Sequence, residues 1–130
     1  MIRCKRVYAP AATDDGRRVL VDRLWPRGCG KESLALDAWL KDVAPSEALR
    51  KDFCHDPALF DEFRRRYRLE LAGHPEYWQG LLGMAEQGNL TLLFAAREER
   101  CNNAQVLAEF LEDELERRGP SSSPVCYADQ

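Results

Sequence analysis

Long apolar runs, clustered histidines, paired cysteines and an excess of positive charge are all missing from this sequence. The longest apolar run, LTLLFAA at 90–96, falls far short of the roughly 20 apolar residues that span a bilayer, so no membrane contact is expected. The amino-terminal MIRCKRVYAP is basic but lacks the apolar region of a secretion signal, which predicts a cytoplasmic protein. Five cysteines, at 4, 29, 54, 101 and 126, form no C-x-x-C. In a chain without a secretion signal, that odd number predicts reduced thiols rather than a disulfide framework. Several of the gaps equal 25 residues, yet the flanks IRCKR, RGCGK and DFCHD share only the cysteine, which argues against a repeat. His55 and His74 show no zinc-ligand spacing, so no metal is expected, and no cofactor is assigned. The net charge of −3 gives no global attraction to nucleic acid or anionic lipid.

What remains is the composition of a globular domain. Apolar residues make up 45% of the 130 and charged residues 32%, enough to bury a core without disulfide or metal staples. IRCKRVYA alternates apolar and polar side chains and reads as a first strand. RRVLVDRL is a second strand, with the continuous apolar centre of one covered on both faces. Leu36, Trp39, Leu40 and Val43 recur at helical spacing until Pro45. Ser46 caps a short helix carrying Leu49 and Phe53, and Asp56-Pro57 opens a longer one that Gly73 closes. Pro75 starts another, with Trp78, Leu81, Leu82 and Ala85 inward. LTLLFAA is the third strand and the expected centre of the sheet, and 104–118 is the clearest amphipathic helix. The expected fold is one α/β domain over 1–118, a mostly parallel sheet of three or four strands flanked by four or five helices. Residues 119–130 form a tail, frayed or adding an edge strand through VCYADQ.

The chain places an unusual cluster where the second strand ends: VLVDRLWPRGCGKE, 19–32, runs from apolar residues into Asp22, Arg23, Trp25, Arg27 and Lys31. A long helical segment joins the second strand to the third, the connection expected of two parallel strands. Their carboxyl ends then share one edge, and ligands of open α/β sheets bind just outside that edge. WPRGCGK and REERCNN both follow such ends. Arg27, in a glycine-containing loop, suits a phosphate or carboxylate, and Arg97 adds a second basic group. Asn102 and Asn103 sit where a cap for the last helix belongs, and that helix's free amides also suit an anion. Each residue has a plainer role open to it. Asp22 and Arg23 can be structural anchors on the strand's last pleat, Arg27 a solvated arginine, and Trp25 a packing residue. Cys101 lies in a strand-to-helix loop that favours a thiolate, but NNAQVLAEF follows it without the arginine of a phosphate-cradling loop.

The segments VDRLWPRG, the following K-E, W-L-K-D…A-P-S, L-R-K-x-F with H-D-P, F-x-x-x-Y-x-x-E-L, and T-L-L-F-A-A with N-x-A-x-x-L closely resemble the YeaO-like family. This is a bacterial family of small proteins of unknown function, and the resemblance runs from about Lys5 to Leu111. It implies a single small cytoplasmic α/β domain. Its characteristic polar positions fall on Asp22, Arg23, Arg27, Lys31, Arg97 and Asn102, with Tyr67 and Glu70 on the long helix. It does not require cysteine at 29, 54 or 101, and it brings no activity.

These residues lead to an anion-binding edge for a phosphate ester or nucleotide-like ligand, formed by Asp22, Arg23, Trp25, Arg27, Lys31, Arg97 and Asn102. If there is chemistry, Asp22 or Glu70 is the candidate base. The alternatives are a nucleic-acid or protein-binding module using the Arg64–Arg68 helix face, and a purely structural role for the motif.

Overall fold

The computed structural model describes residues 1–54 and 56–118. IRCKR forms strand β1 (Ile2–Arg6) and RRVL forms β2 (Arg17–Leu20). A four-residue helix, α1 (Lys31–Leu34), precedes a two-residue strand, β3 (Ala38–Trp39). Helices α2 (Glu47–Phe53), α3 (Phe60–Ala72) and α4 (Gln79–Gln87) follow, then β4 (Leu90–Phe94) and α5 (Asn103–Arg118). The four strands form one sheet in the order β1-β4-β2-β3, and every pairing is parallel. The result is a small α/β domain with five helices among the described residues.

The register divides the sheet into two faces, because alternate residues of a strand point to opposite sides. Val19 aligns with Leu92, and Leu20 with Leu93. On the first face, Val19, Leu90, Leu92 and Phe94 join the main core with Phe53 of α2, Phe63 and Tyr67 of α3, Leu81 of α4, and Leu107 and Phe110 of α5. On the second, Leu20 and Leu93 join Val7 and Leu34 among the described buried residues, with Trp25, Cys29, Leu36, Trp39 and Ala95 partly buried beside them. Both faces are covered, which is why RRVL and LTLLF carry consecutive apolar residues.

Local signals place most helix ends. The Ser46 hydroxyl accepts from Leu49 N at 3.2 Å and caps α2. Asp56 accepts from Ala58 N at 3.0 Å and opens the 3-10 turn that leads into α3, with Pro57 at the first helical position. Ser46→Ala is expected to cost about 1 kcal/mol of stability, measurable by denaturant unfolding, because it removes this cap.

The structure overturns the helix expected over 36–43. Parallel pairing to β2 holds Ala38 and Trp39 extended, and only Lys41–Val43 turns, as a single 3-10 segment. The anchors are long-range: Asp37 Oδ2 accepts from Arg18 N at 2.8 Å, and Trp39 Nε1 donates to the Asp22 carbonyl at 2.8 Å. The second strand is also shorter than expected. It ends at Leu20, so Asp22 and Arg23 lie beyond the ladder rather than on its last pleat. The Val21 carbonyl accepts from the Asn103 side chain instead of a neighbouring strand. The first strand likewise stops at Arg6, and it pairs with β4 rather than with β2. Inserting β4 between them makes β1 and β2 parallel across a short connection that contains one 3-10 turn, Thr13–Asp15. His55 and the tail from 119, including its proposed edge strand, lie outside the described residues.

Candidate functional site at the carboxyl edge of the sheet

An all-parallel sheet sends every strand's carboxyl end to one edge, so the segments after β1, β2 and β4 meet there. Against this edge lies a cleft of about 390 Å³. Asp22, Arg23, Trp25 and Arg27 line it from the loop after β2, and Tyr8 from the segment after β1. Ala95, Ala96, Asn102 and Asn103 line it from the connection between β4 and α5 and from the helix start. Ala44, Pro45, Arg50, Phe53 and Phe63 close it from below.

Asp22 is the joint between these segments. Its Oδ2 accepts from Ala95 N at 2.9 Å and its Oδ1 from Asn103 Nδ2 at 3.1 Å. One carboxylate therefore ties the end of β2 to the end of β4 and to the first turn of α5. Arg23 donates through Nη2 to the carbonyls of Ala44 (3.4 Å) and Pro45 (3.2 Å), while its buried Nε has no hydrogen-bond partner among the described residues. Neither it nor Arg27 or Arg50 forms an ion pair among the described residues. Asn102 is buried and caps α5, its Oδ1 accepting from Gln105 N at 3.1 Å.

The other residues singled out from the sequence fall elsewhere. Lys31 and Arg97 are exposed and do not line the cleft. Glu70 does not line it either: its two oxygens accept from Ser46 N (2.9 Å) and Ser46 Oγ (2.6 Å), which holds the 44–46 segment that Arg23 grips. Tyr67 stands beside them, fully buried and donating to the Val43 carbonyl. Burial, followed by the charges of Glu70 and Asp22, holds its phenol far above the ordinary tyrosine range, with Arg23 opposing. It is a neutral donor. Cys101 is half-buried, packs on the main core and is outside the cleft lining. Burial, with a smaller push from Glu112, raises the Cys4 thiol to about 12, and its Sγ donates to the Ala104 carbonyl at 3.3 Å.

Tyr8 and Arg50 escaped the sequence reading. Tyr8 reaches the edge only because β1 runs parallel to β4, and no local pattern encodes that. Arg50 lies in a helix too short for its spacing to show which way it turns. A smaller cavity of about 290 Å³ beside Tyr8 contains Lys5 and Arg6. Both are already engaged, Lys5 by Asp15 and Arg6 by the Ala96 carbonyl.

The family model described as the inactive DUF488-N3 subclade matches residues 1–128 of the chain. The chain belongs to that family. The DUF488-N3 match extends past the motif resemblance into the tail. Among its relatives, the uncharacterized protein YeaO of Escherichia coli K12 is 48% identical over 110 residues, covering 85% of this chain and 96% of YeaO. The uncharacterized protein Rv3073c of Mycobacterium tuberculosis H37Rv is 41% identical over 110 residues, covering 85% of this chain and 92% of the relative. The YeaO-like resemblance of the VDRLWPRG segment thus extends across the domain. No solved structure matches.

Proposed function

We propose that this DUF488-N3 chain binds a small anionic ligand, a phosphate ester or nucleotide-like molecule, in the cleft at the carboxyl edge of the sheet. One observation carries the reading: Arg23, Arg27 and Arg50 line the cleft, and Asp22 is the one carboxylate among its described lining residues. Three guanidinium groups against one carboxylate leave the described lining with a net positive charge for an anion to meet. Asn102 and Asn103, at the start of α5, bring the positive end of a helix to the same cleft. The reading is binding rather than turnover, in keeping with the description of the subclade as inactive.

The Arg64–Arg68 face offers less free charge. Arg64 pairs with Asp61 and Glu109, Arg65 with Glu62, Arg66 with Asp52, and Arg68 with Asp113. Those carboxylates neutralise the strip that a phosphate backbone needs.

A thermal-shift screen against phosphate, sulfate, nucleotides and small carboxylates tests the reading. A ligand that binds the native state raises the melting temperature. Arg27→Ala is expected to weaken its binding roughly 10- to 100-fold, the loss of charge-assisted hydrogen bonds worth about 1.5–3 kcal/mol. Arg64→Ala combined with Arg66→Ala should leave the shift unchanged. No shift across the panel, or a shift that survives Arg27→Ala but not the strip variant, rejects the cleft.

A further inference from the structure

The cleft is richer in aromatic and aliphatic surface than an inorganic anion can use. Trp25, Tyr8, Leu24, Phe53 and Phe63 line it together with the arginines. At about 390 Å³ it matches the range for small organic ligands, roughly 300–1,000 Å³, rather than a single phosphate.

Two of those rings are fixed in a particular way. Trp25 Nε1 donates to the Cys29 carbonyl at 2.7 Å, and its ring meets Trp39 edge-on with centroids 5.2 Å apart. Tyr8 donates its hydroxyl to the Arg27 carbonyl at 3.0 Å, and the Arg6 guanidinium lies 5.0 Å from its ring centroid. Each ring has therefore committed its polar group to the same 25–29 loop. What either has left for a ligand is π surface. Tyr8 is 49% exposed, and Leu24 at the rim is 66% exposed. Fixing rings before the ligand arrives reduces the ordering cost of binding.

We infer that the ligand of this cleft is a ring-bearing anion, whose phosphate or carboxylate meets the arginines while its planar ring lies against Trp25 and Tyr8. This inference rests on the anion-binding reading above and adds the second half of the ligand. It makes Trp25 and Tyr8 the residues that set specificity, with the arginines supplying charge recognition. A ring attached directly to the anion, or one separated from it by a sugar, satisfies the same chemistry, and the choice of probes separates the two.

Titration calorimetry with inorganic phosphate, ribose 5-phosphate, phenyl phosphate and adenosine monophosphate provides the test. At least one of the two ring-bearing esters is expected to bind ten-fold or more tighter than its ringless counterpart, a difference on the scale of one aromatic stacking contact. Tyr8→Ala, at an exposed position that leaves the core intact, should remove most of that difference, whereas Tyr8→Phe, which loses the hydroxyl bond to the Arg27 carbonyl but keeps the ring, should retain it. Trp25→Ala should also remove most of it, and its melting curve shows whether the loop has been lost with it. Preference for phenyl phosphate assigns an aryl ester, and preference for the nucleotide assigns a spaced ring. Equal binding of all four probes, still abolished by Arg27→Ala, overturns the ring inference and leaves the anion site standing. Failure of every probe to bind overturns both.

Discussion

Asp15→Ala is expected to lower the unfolding free energy by about 3–5 kcal/mol, the cost of removing one partner from a buried ion pair. Asp15 is 1% exposed and Arg18 5% exposed. The Asp15 carboxylate takes the Arg18 guanidinium, Lys5 Nζ at 2.9 Å and Ala12 N at 3.0 Å. Arg18 in turn donates to the Leu34 carbonyl from Nε at 3.1 Å and from Nη2 at 2.8 Å, which holds α1 against the sheet. Alanine at 15 leaves that guanidinium buried without its counter-charge. Urea unfolding followed by circular dichroism measures the loss. A change under 1 kcal/mol would mean that solvent reaches Arg18 once the carboxylate is gone.

The same group gives the protein an acid limit. Burial alone would raise the Asp15 carboxyl, but the Ala12 amide and the Lys5 and Arg18 charges outweigh it and lower it from 3.8 to about 2. A depressed folded-state value means stabilisation that is fully present above the unfolded value. The contribution is lost as pH falls from about 3.8 through about 2. Wild-type stability should therefore fall steeply in that window, and the Asp15→Ala curve should be flatter there.

Gly16→Ala is expected to cost about 3 kcal/mol through backbone strain and overpacking. Gly16 has φ +65°, and a Cβ there would sit 2.2 Å from the Asn89 carbonyl oxygen. The obstacle is main chain that cannot move aside: the same oxygen accepts from Arg17 N at 3.0 Å, and Asn89 Nδ2 donates to the Asp14 carbonyl at 2.8 Å. Those bonds set the start of β2 beside the start of β4. The melting temperature of Gly16→Ala should drop sharply, and Gly28→Ala provides the control. Gly28 also has positive φ, +74°, but has open space around it, so it carries the conformational cost alone. Equal losses in the two variants would assign the whole effect to φ and none to the contact with Asn89.

Both changes act on the Asp15–Gly16 corner that leads into β2, whereas the proposed ligand residues follow the strands' carboxyl ends. Arg27, Arg50 and Tyr8 are exposed, so their substitution should alter binding far more than folding. That separation makes the cleft testable by mutation.

Signals contained within a few consecutive residues determined much of this protein in advance. The apolar run at 90–96 located β4, Ser46 and Asp56-Pro57 located helix starts, and apolar spacing located α5 with Val106, Leu107, Phe110 and Leu111 inward. The loop after β2 was visible as the place where charge and an aromatic follow a buried strand, and Asp22, Arg23, Trp25, Arg27 and Asn102 do line one cleft. Other features depend on partners distant in sequence. Leu36, Trp39, Leu40 and Val43 have helical spacing, yet the parallel edge offered by β2 draws Ala38 and Trp39 into the sheet. Glu70 faces Ser46 rather than the cleft, and the arginines of α3 meet carboxylates on α2 and α5 as well as their own helix. Periodicity and capping arise from geometry repeated within one or two turns, so the sequence alone determines them. Strand pairing, charge neutralisation and the lining of a cleft arise from groups tens of residues apart, so only the tertiary structure decides them.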